Sequence, residues 1–467
     1  MKRINAYLKR IHGLTYFRYT STNSLINYIS SRSNFVSKSV NFTINSTYYF
    51  YKNILKKNNQ VVFTEEKKNI PNESSFLFGN KKTGIKVDKV LEQNFPKIKK
   101  LNCSLIGGNN PKFLNLVTDS IGKESLFGGV ATALILATIY CNKNNLPLRI
   151  ITRCSPANPN DYFNLLNFYQ LEKPNRVEFS TDMTPVLLST EDEFLATSWW
   201  SAYSIRQTFP TRKFFYLIQE VETFFYPHGD NHLLCKSIEN DENIIFIVNS
   251  HFLNDYFKIH NCIKGQSFSF EPAFPKIFKV DKISQKQPGE KNRIFFYARP
   301  HNPRNLFWTG LALIDKAIKS GIINTNDWDI YLAGSQQYPD FEFSNGYRPI
   351  NVGVLDLKKY KKFLGKTDLT ISLMYTPHPS YPPYDSLLSG CIVLTNSFEN
   401  KTHFSESKNI IVTKLDTEDF LNNLDKALKL SCDIEKRSEN YANTNISTDW
   451  NSNLDKVLRF MNDNIKY

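Results

Sequence analysis

From about Lys99 onward, short apolar runs alternate with stretches whose apolar residues recur at helical spacing. The first series predicts strands at Asn102–Ile106, Leu148–Thr152, Arg176–Phe179, Phe194–Thr197, Phe214–Ile218 and Ile244–Val248. Between them lie helical stretches such as Val130–Cys141, where Val130, Leu134, Ala137 and Cys141 fall on one face. Pro272, Pro275 and a Lys-rich run to Asn292 interrupt the pattern and read as a linker. A second series follows. It predicts strands at Arg293–Tyr297, Asp329–Leu332, Leu369–Met374, Cys391–Thr395 and Asn409–Val412, with helices at Arg304–Lys319, Lys358–Leu364, Tyr384–Leu388 and Glu418–Leu430. Such alternation argues for parallel sheets covered by helices. The expected architecture is α/β: two Rossmann-like, doubly wound domains, residues 96–285 and 286–467, facing each other across a cleft. Ligands of such sheets bind outside the carboxyl ends of the strands. Near the C-terminus Trp450, Leu454, Val457, Leu458 and Met461 mark one more amphipathic helix.

Residues 1–95 read as a basic N-terminal extension. The first 64 residues hold ten Lys and Arg and no Asp or Glu, out of a net charge of +14 for the chain. The charge is therefore a property of that arm more than of the body. Ile4, Leu8 and Ile11 among its basic residues fit a helix lying on an anionic membrane surface, a solvated arm, or an organellar transit segment. No zinc-finger or RNP-type motif accompanies the charge, so a nucleic-acid partner is not expected. The seven cysteines are scattered without a C-x-x-C pair, which fits a reducing cytosol. The longest apolar run, Leu126–Cys141, is shorter than the ~20 residues of a membrane helix.

Three loops carry candidate chemistry. In Ile371-Ser-Leu-Met-Tyr-Thr-Pro-His-Pro-Ser-Tyr-Pro-Pro-Tyr-Asp-Ser-Leu-Leu, the stretch around His378, Ser380 and Tyr381 runs into a helix start, where free N–H groups favour a diphosphate. Asp385, one turn in, could accept two ribose hydroxyls or be only a helix-start charge. In Tyr297-Ala-Arg-Pro-His-Asn-Pro-Arg-Asn-Leu-Phe, Arg299 and Arg304 could converge on one anion and stabilise a departing diphosphate. Gly128-Gly129, ahead of a helix, would let backbone approach a phosphate or sugar, and Gly334 is counted with the donor side. Trp199, Trp200, Gln219 and Glu222, together with Glu220, are candidates for the acceptor side, although core packing explains the Trp pair almost as well. Asp327-Trp-Asp329 imitates a metal motif but runs straight into a strand and reads as structural.

Taken together these motifs resemble retaining glycosyltransferase family 4. The Tyr-x-Arg-Pro…Pro-Arg-Asn-Leu-Phe and Ser-Leu-Met…Pro-His-Pro-Ser-Tyr-Pro-Pro patterns resemble its WsaF-like rhamnosyltransferases. Leu126–Leu134, Ala196-Thr-Ser-Trp-Trp-Ser-Ala202, Phe215–Glu222 and Asn249-Ser250 add to the likeness, which spans roughly residues 100–460. The resemblance implies a GT-B fold, a nucleotide-sugar donor (by analogy dTDP-β-L-rhamnose), a glycan acceptor and transfer with retention that needs no metal or other cofactor. It places Arg299 and Arg304 where the family keeps an Arg and a Lys on the donor diphosphate. Asp385 falls at its ribose-binding Glu, and Pro377 replaces the other acid of the Glu-x7-Glu pattern. The expected location is cytoplasmic, with contact to the inner face of a membrane as one reading of the basic N-terminus. Another donor, or epimerisation, is the alternative.

Overall fold

In the computed structural model, the described residues are 85–107, 111–122, 128–283, 286–287, 289–465. The expected basic helix around Ile4, Leu8 and Ile11 lies outside them. Ile85–Tyr467 form one compact unit. A helix, Val87–Asn94, leads into β1 (Cys103–Ile106) and β2 (Leu114–Thr118). Then follow β3 (Leu148–Thr152), β4 (Val177–Thr181), β5 (Val186–Ser189), β6 (Glu193–Ala196), β7 (Phe214–Ile218), β8 (Ile244–Asn249) and β9 (Ser267–Phe270). The second half supplies β10 (Asn292–Tyr297), β11 (Trp328–Ala333), β12 (Ile350–Gly353), β13 (Leu369–Ser372), β14 (Ile392–Asn396) and β15 (Ile410–Thr413).

Two large all-parallel sheets result, beside a two-stranded one. The first has the order β4-β3-β2-β6-β7-β8-β9, the second β12-β11-β10-β13-β14-β15. In each the order reverses beside the first strand, between β2 and β6 and between β10 and β13, which opens a crevice at the carboxyl ends. The central strands are buried along their whole length, so Phe214–Ile218 and Ile244–Val248 are unbroken apolar runs. Separate clusters cover the two faces of each sheet. One of them includes Phe252 of the first domain among residues of the second and so ties the domains together. The last helix, Trp450–Asn464, buries Trp450, Leu454, Val457, Leu458 and Met461 in the first domain's core.

Three local expectations change. The strand expected at Asn102–Ile106 does form, but it pairs only with β5 in a two-stranded sheet; the leading strand of the large sheet is β2, Leu-Asn-Leu-Val-Thr. Its Asn115 is fully buried, donating to Glu193 O at 3.2 Å and accepting from Arg149 at 3.1 Å, partners remote in sequence. The helix Gly129–Asn144 is not one-faced: every residue from Ala131 to Cys141 is buried, because the returning last helix covers the side away from the sheet. The expected helix at Arg304 begins later, at Phe307. Pro303–Asn305 form a 3-10 turn, and Leu306 takes a left-handed conformation (φ 49°) that separates the two.

Candidate active site

Arg299 follows the last residues of β10, and its aliphatic stem runs beside Gly334, which follows β11. Gly334 has φ +113°, and a Cβ there would meet Tyr297 Cε2 at 3.0 Å, Ala298 O at 3.1 Å and Arg299 Cγ at 3.1 Å. Glycine at this point is what lets the arginine lie against the sheet end. The guanidinium reaches Tyr297 OH at 3.5 Å and has no acidic partner among the described residues. Among the described residues it is a half-buried cation without a counter-ion.

Arg304 is held differently. Its Nη1 stands 3.0 Å from Glu220 Oε1, a residue of the first domain just beyond β7, so this ion pair crosses the cleft. Thr376, from the loop after β13, donates to the same oxygen at 3.1 Å. Lys401, fully buried in the loop after β14, donates to Met374 O at 2.9 Å. Burial pushes the Glu220 carboxyl up, against the pull of Arg304, and pushes Lys401 down to about 7. The two arginines therefore do not share one partner: among the described residues one lacks an acidic partner and the other is tied across the domains. Lys401 escapes sequence reasoning, since a lysine in a polar Asn-Lys-Thr loop reads as solvated.

Tyr381 makes a second bridge. Its hydroxyl lies 2.7 Å from Thr132 Oγ1 and accepts from Asn249 Nδ2 at 2.8 Å. Asn249 also donates to Gln219 Oε1 at 3.2 Å, and Gln219 donates to Gly129 O at 2.9 Å. A Cβ on Gly129 would come within 2.8 Å of Gln219 Nε2, so the second glycine serves this close approach. Gly128 (φ +89°) precedes the helix with open space beside it, and residues 123–127 of the same motif lie outside the described residues. Gln219, expected on the acceptor side, instead braces the glycine turn.

His378 is buried, and burial with the nearby Lys401 and Arg304 charges holds its imidazole down to about 3. Its Nδ1 accepts from the N–H of Ser380 at 3.0 Å, so the neutral ring carries its proton on Nε2. Ser380 itself is left-handed, φ 68°. Asp385 sits in the first turn of Pro382–Leu388, half-buried, with Tyr169, Tyr360 and Tyr381 as the rings its charge acts on. Burial pushes its carboxyl up to about 8. No side chain among the described residues hydrogen-bonds it.

The acceptor-side candidates are engaged internally. Trp199 and Trp200 open a helix, Trp199–Thr208, just after the carboxyl end of β6. Trp199 is buried and donates from its ring to Tyr226 OH at 2.9 Å, while its backbone N–H donates to Glu222 at 2.8 Å. Trp200 donates to Asp119 at 2.9 Å beneath the Lys97 ammonium. Glu222 is buried, and burial pushes it up to about 7. Trp199 and Glu222 are buried and support the walls, while Trp200 is half-buried. Asp329, 3.5 Å from Lys291, sits at the amino end of β11, away from the crevice.

Two doubly wound domains with their switch-point loops facing one cleft define the GT-B class. Residues 113–251 match the family described as WsaF, N-terminal domain, and residues 292–425 match WsaF, C-terminal domain. The chain belongs to the WsaF family, matched over more than half its length. A stretch of 277 residues is 26% identical to the O-antigen biosynthesis protein RfbC of Myxococcus xanthus, covering 58% of this chain and 21% of that protein. The matched region is thus about a fifth of that relative. Among solved structures, HepE of Anabaena in complex with UDP and glucose superposes with TM-score 0.50 at 11% identity, over 75% of this chain and 100% of that one. A glycosyltransferase from Rickettsia africae does so with TM-score 0.50 at 14% identity, over 76% and 100%. At these identities the likeness is one of fold.

Proposed function

We propose that this chain is a retaining glycosyltransferase that moves a hexosyl unit, L-rhamnose from dTDP-β-L-rhamnose, onto a polysaccharide or glycoconjugate acceptor. Arg299 is the observation that carries the reading. It is a cation with no counter-ion among the described residues, held by Gly334 at the switch point of the second sheet, where an anion would complete it. Asn249 Oδ1, Ser372 Oγ and Thr395 Oγ1, at or near the carboxyl ends of β8, β13 and β14, are buried without hydrogen-bond partners among the described residues. Such groups cost about 1–3 kcal/mol each unless something satisfies them.

In this reading the donor diphosphate meets Arg299, Arg304, the Nε2–H of His378 and the amides before Pro382–Leu388, while Asp385 takes the ribose. Charge grows on the diphosphate as the glycosidic bond breaks, and fixed cations stabilise that state more than the ground state. The acceptor hydroxyl attacks from the same face and passes its proton to a donor phosphate oxygen, so no protein nucleophile is required. With arginines supplying the positive charge, transfer proceeds without a metal and survives chelation by EDTA. The enzyme works on the cytoplasmic side of a membrane. The family membership supports the reading, and so does the RfbC likeness through that protein's name.

The test is incubation of the full chain with a panel of nucleotide sugars, with and without glycan acceptors. Acceptor-dependent release of dTDP from dTDP-rhamnose is expected. Conversion of the donor without acceptor to an epimer, or turnover of a different nucleotide sugar alone, would overturn the corresponding part.

A further inference from the structure

Large aromatic rings stand open to solvent at one edge of the cleft. Phe224 (45% exposed) and Phe225 (38%) come from the 3-10 turn Glu222–Phe225 after β7, and Tyr375 (54%) from the loop after β13. These exposed apolar surfaces are fixed in place. Phe224 packs edge-on against Tyr256 (6.1 Å between centroids) and Phe398 (6.3 Å), and Tyr375 packs edge-on against Phe398 at 4.9 Å. The Arg304 guanidinium lies over the Phe225 ring at 4.4 Å, and Tyr375 N–H donates to Arg304 O at 2.8 Å. The rim is therefore built directly onto one of the two candidate diphosphate arginines, with rings from both domains. Polar groups border it: His260 and Glu399, both exposed, meet at 2.6 Å beside Tyr256 and Phe398.

We propose that Phe224, Phe225 and Tyr375 form the subsite that stacks against a pyranose ring of the acceptor glycan. This rests on the glycosyltransferase reading above. An aromatic face carries negative potential that attracts the C–H face of a sugar, and the polar border suits its hydroxyls. An acceptor hydroxyl has to approach the carbon bonded to the diphosphate, so its ring must lie beside the groups that hold that diphosphate. The rim meets this condition through Arg304. None of its rings is among those around Asp385, which separates it from the ribose end of the donor. Trp199 and Trp200, spent on internal hydrogen bonds, do not compete for the role.

The test uses the full chain, saturation-transfer NMR with methyl pyranosides of rhamnose, glucose, galactose and mannose, and calorimetric binding of dTDP. At least one methyl pyranoside should show saturation transfer with the wild type. Phe224→Ala and Tyr375→Ala should each weaken that contact about fivefold to tenfold, the range expected for losing one ring contact. Tyr375→Phe should restore it, and dTDP affinity should stay within twofold throughout. Wild-type dTDP binding with no pyranoside contact, or contact unchanged in both alanine variants, overturns the subsite. Loss of dTDP affinity in those variants assigns the rim to the nucleotide base and overturns it as well. Failure of the wild type to bind any nucleotide diphosphate overturns the underlying reading instead.

Discussion

Replacing the two arginines one at a time should produce differently weighted damage, catalytic for Arg299 and structural as well for Arg304. Arg299 has no acidic partner among the described residues, so Arg299→Ala removes a cation without orphaning a carboxylate there. Its folding cost should be that of a half-buried surface substitution, within about 1 kcal/mol. Its catalytic cost should be far larger. Losing one preorganised contact to developing charge removes about 3 kcal/mol, on the order of a hundredfold in kcat. Arg304→Ala strands Glu220 in a buried site whose remaining hydrogen bonds come from Thr376 and the N–H of Val221. With Arg304 partly exposed and Lys401 still beside the carboxylate, breaking this pair from one side should cost about 1–3 kcal/mol. That is enough to lower the melting temperature by several degrees in a protein of this size. The double variant Arg304→Ala/Glu220→Gln should regain part of that loss, because no carboxylate is left without its arginine. Melting curves and kcat at saturating donor, measured side by side, decide the matter. A melting collapse in Arg299→Ala that accounts for its lost turnover, or an Arg304→Ala protein as stable as wild type, would refute the assignment of one free and one tied arginine.

Asp385→Asn should abolish a pH dependence: with the folded carboxyl at about 8, nucleotide-sugar affinity of the wild type should climb as pH rises toward 8, about tenfold per unit below it, and stay flat in the variant, read by calorimetry between pH 6.5 and 8.5. The same raised value means that the group's contribution to stability is complete below about pH 4 and lost as pH rises through 8. The wild type should therefore lose melting temperature relative to Asp385→Asn across that window. Gly334→Ala should cost about 1–3 kcal/mol from the positive φ and the close neighbours, and should lower kcat through a displaced Arg299; unchanged kcat would separate the glycine from the arginine. Tyr381→Phe removes two hydrogen bonds between the domains, each worth about 1 kcal/mol, and should raise donor KM severalfold with little change in melting temperature, as steady-state kinetics would show.

The parts of the fold written in local pattern could be read from the chain. Leu148–Thr152 and Phe214–Ile218 have the predicted bounds, because a strand buried on both faces is a short, unbroken apolar run. What failed depended on partners far away. Leu114–Thr118 hid because Asn115 interrupts its pattern, and only Arg149 and Glu193, both remote, make a buried asparagine acceptable there. The all-round burial of Gly129–Asn144 needed a helix more than three hundred residues later. At the site, the loops after β10 and β13 were legible from Arg-Pro and Pro-Ser-Tyr-Pro-Pro, since turn residues at strand ends announce themselves. The pairing of Arg304 with Glu220 and the burial of Lys401 belong to the closed cleft, and no local signal encodes them. The exposure of Phe224, Phe225 and Tyr375 is of the same kind: in sequence they look like any other aromatics of this Phe-rich chain.

The returning helix Trp450–Asn464 means that the backbone passes between the domains twice, and the two passages are stitched together. Phe274 N–H donates to Ser447 O at 2.9 Å, and Asn453 Nδ2 donates to Glu271 O at 2.9 Å. Two adjoining, mutually bonded crossings put the covalent links at one place, the hinge side of a door, and resist separation there. The halves of the cleft thus meet at an effective concentration fixed by the chain, and the association entropy of bringing them together has been spent in folding. A ligand that trades places with the Glu220–Arg304 pair would need only to swing the door, with the far side of every contact still within reach for the return.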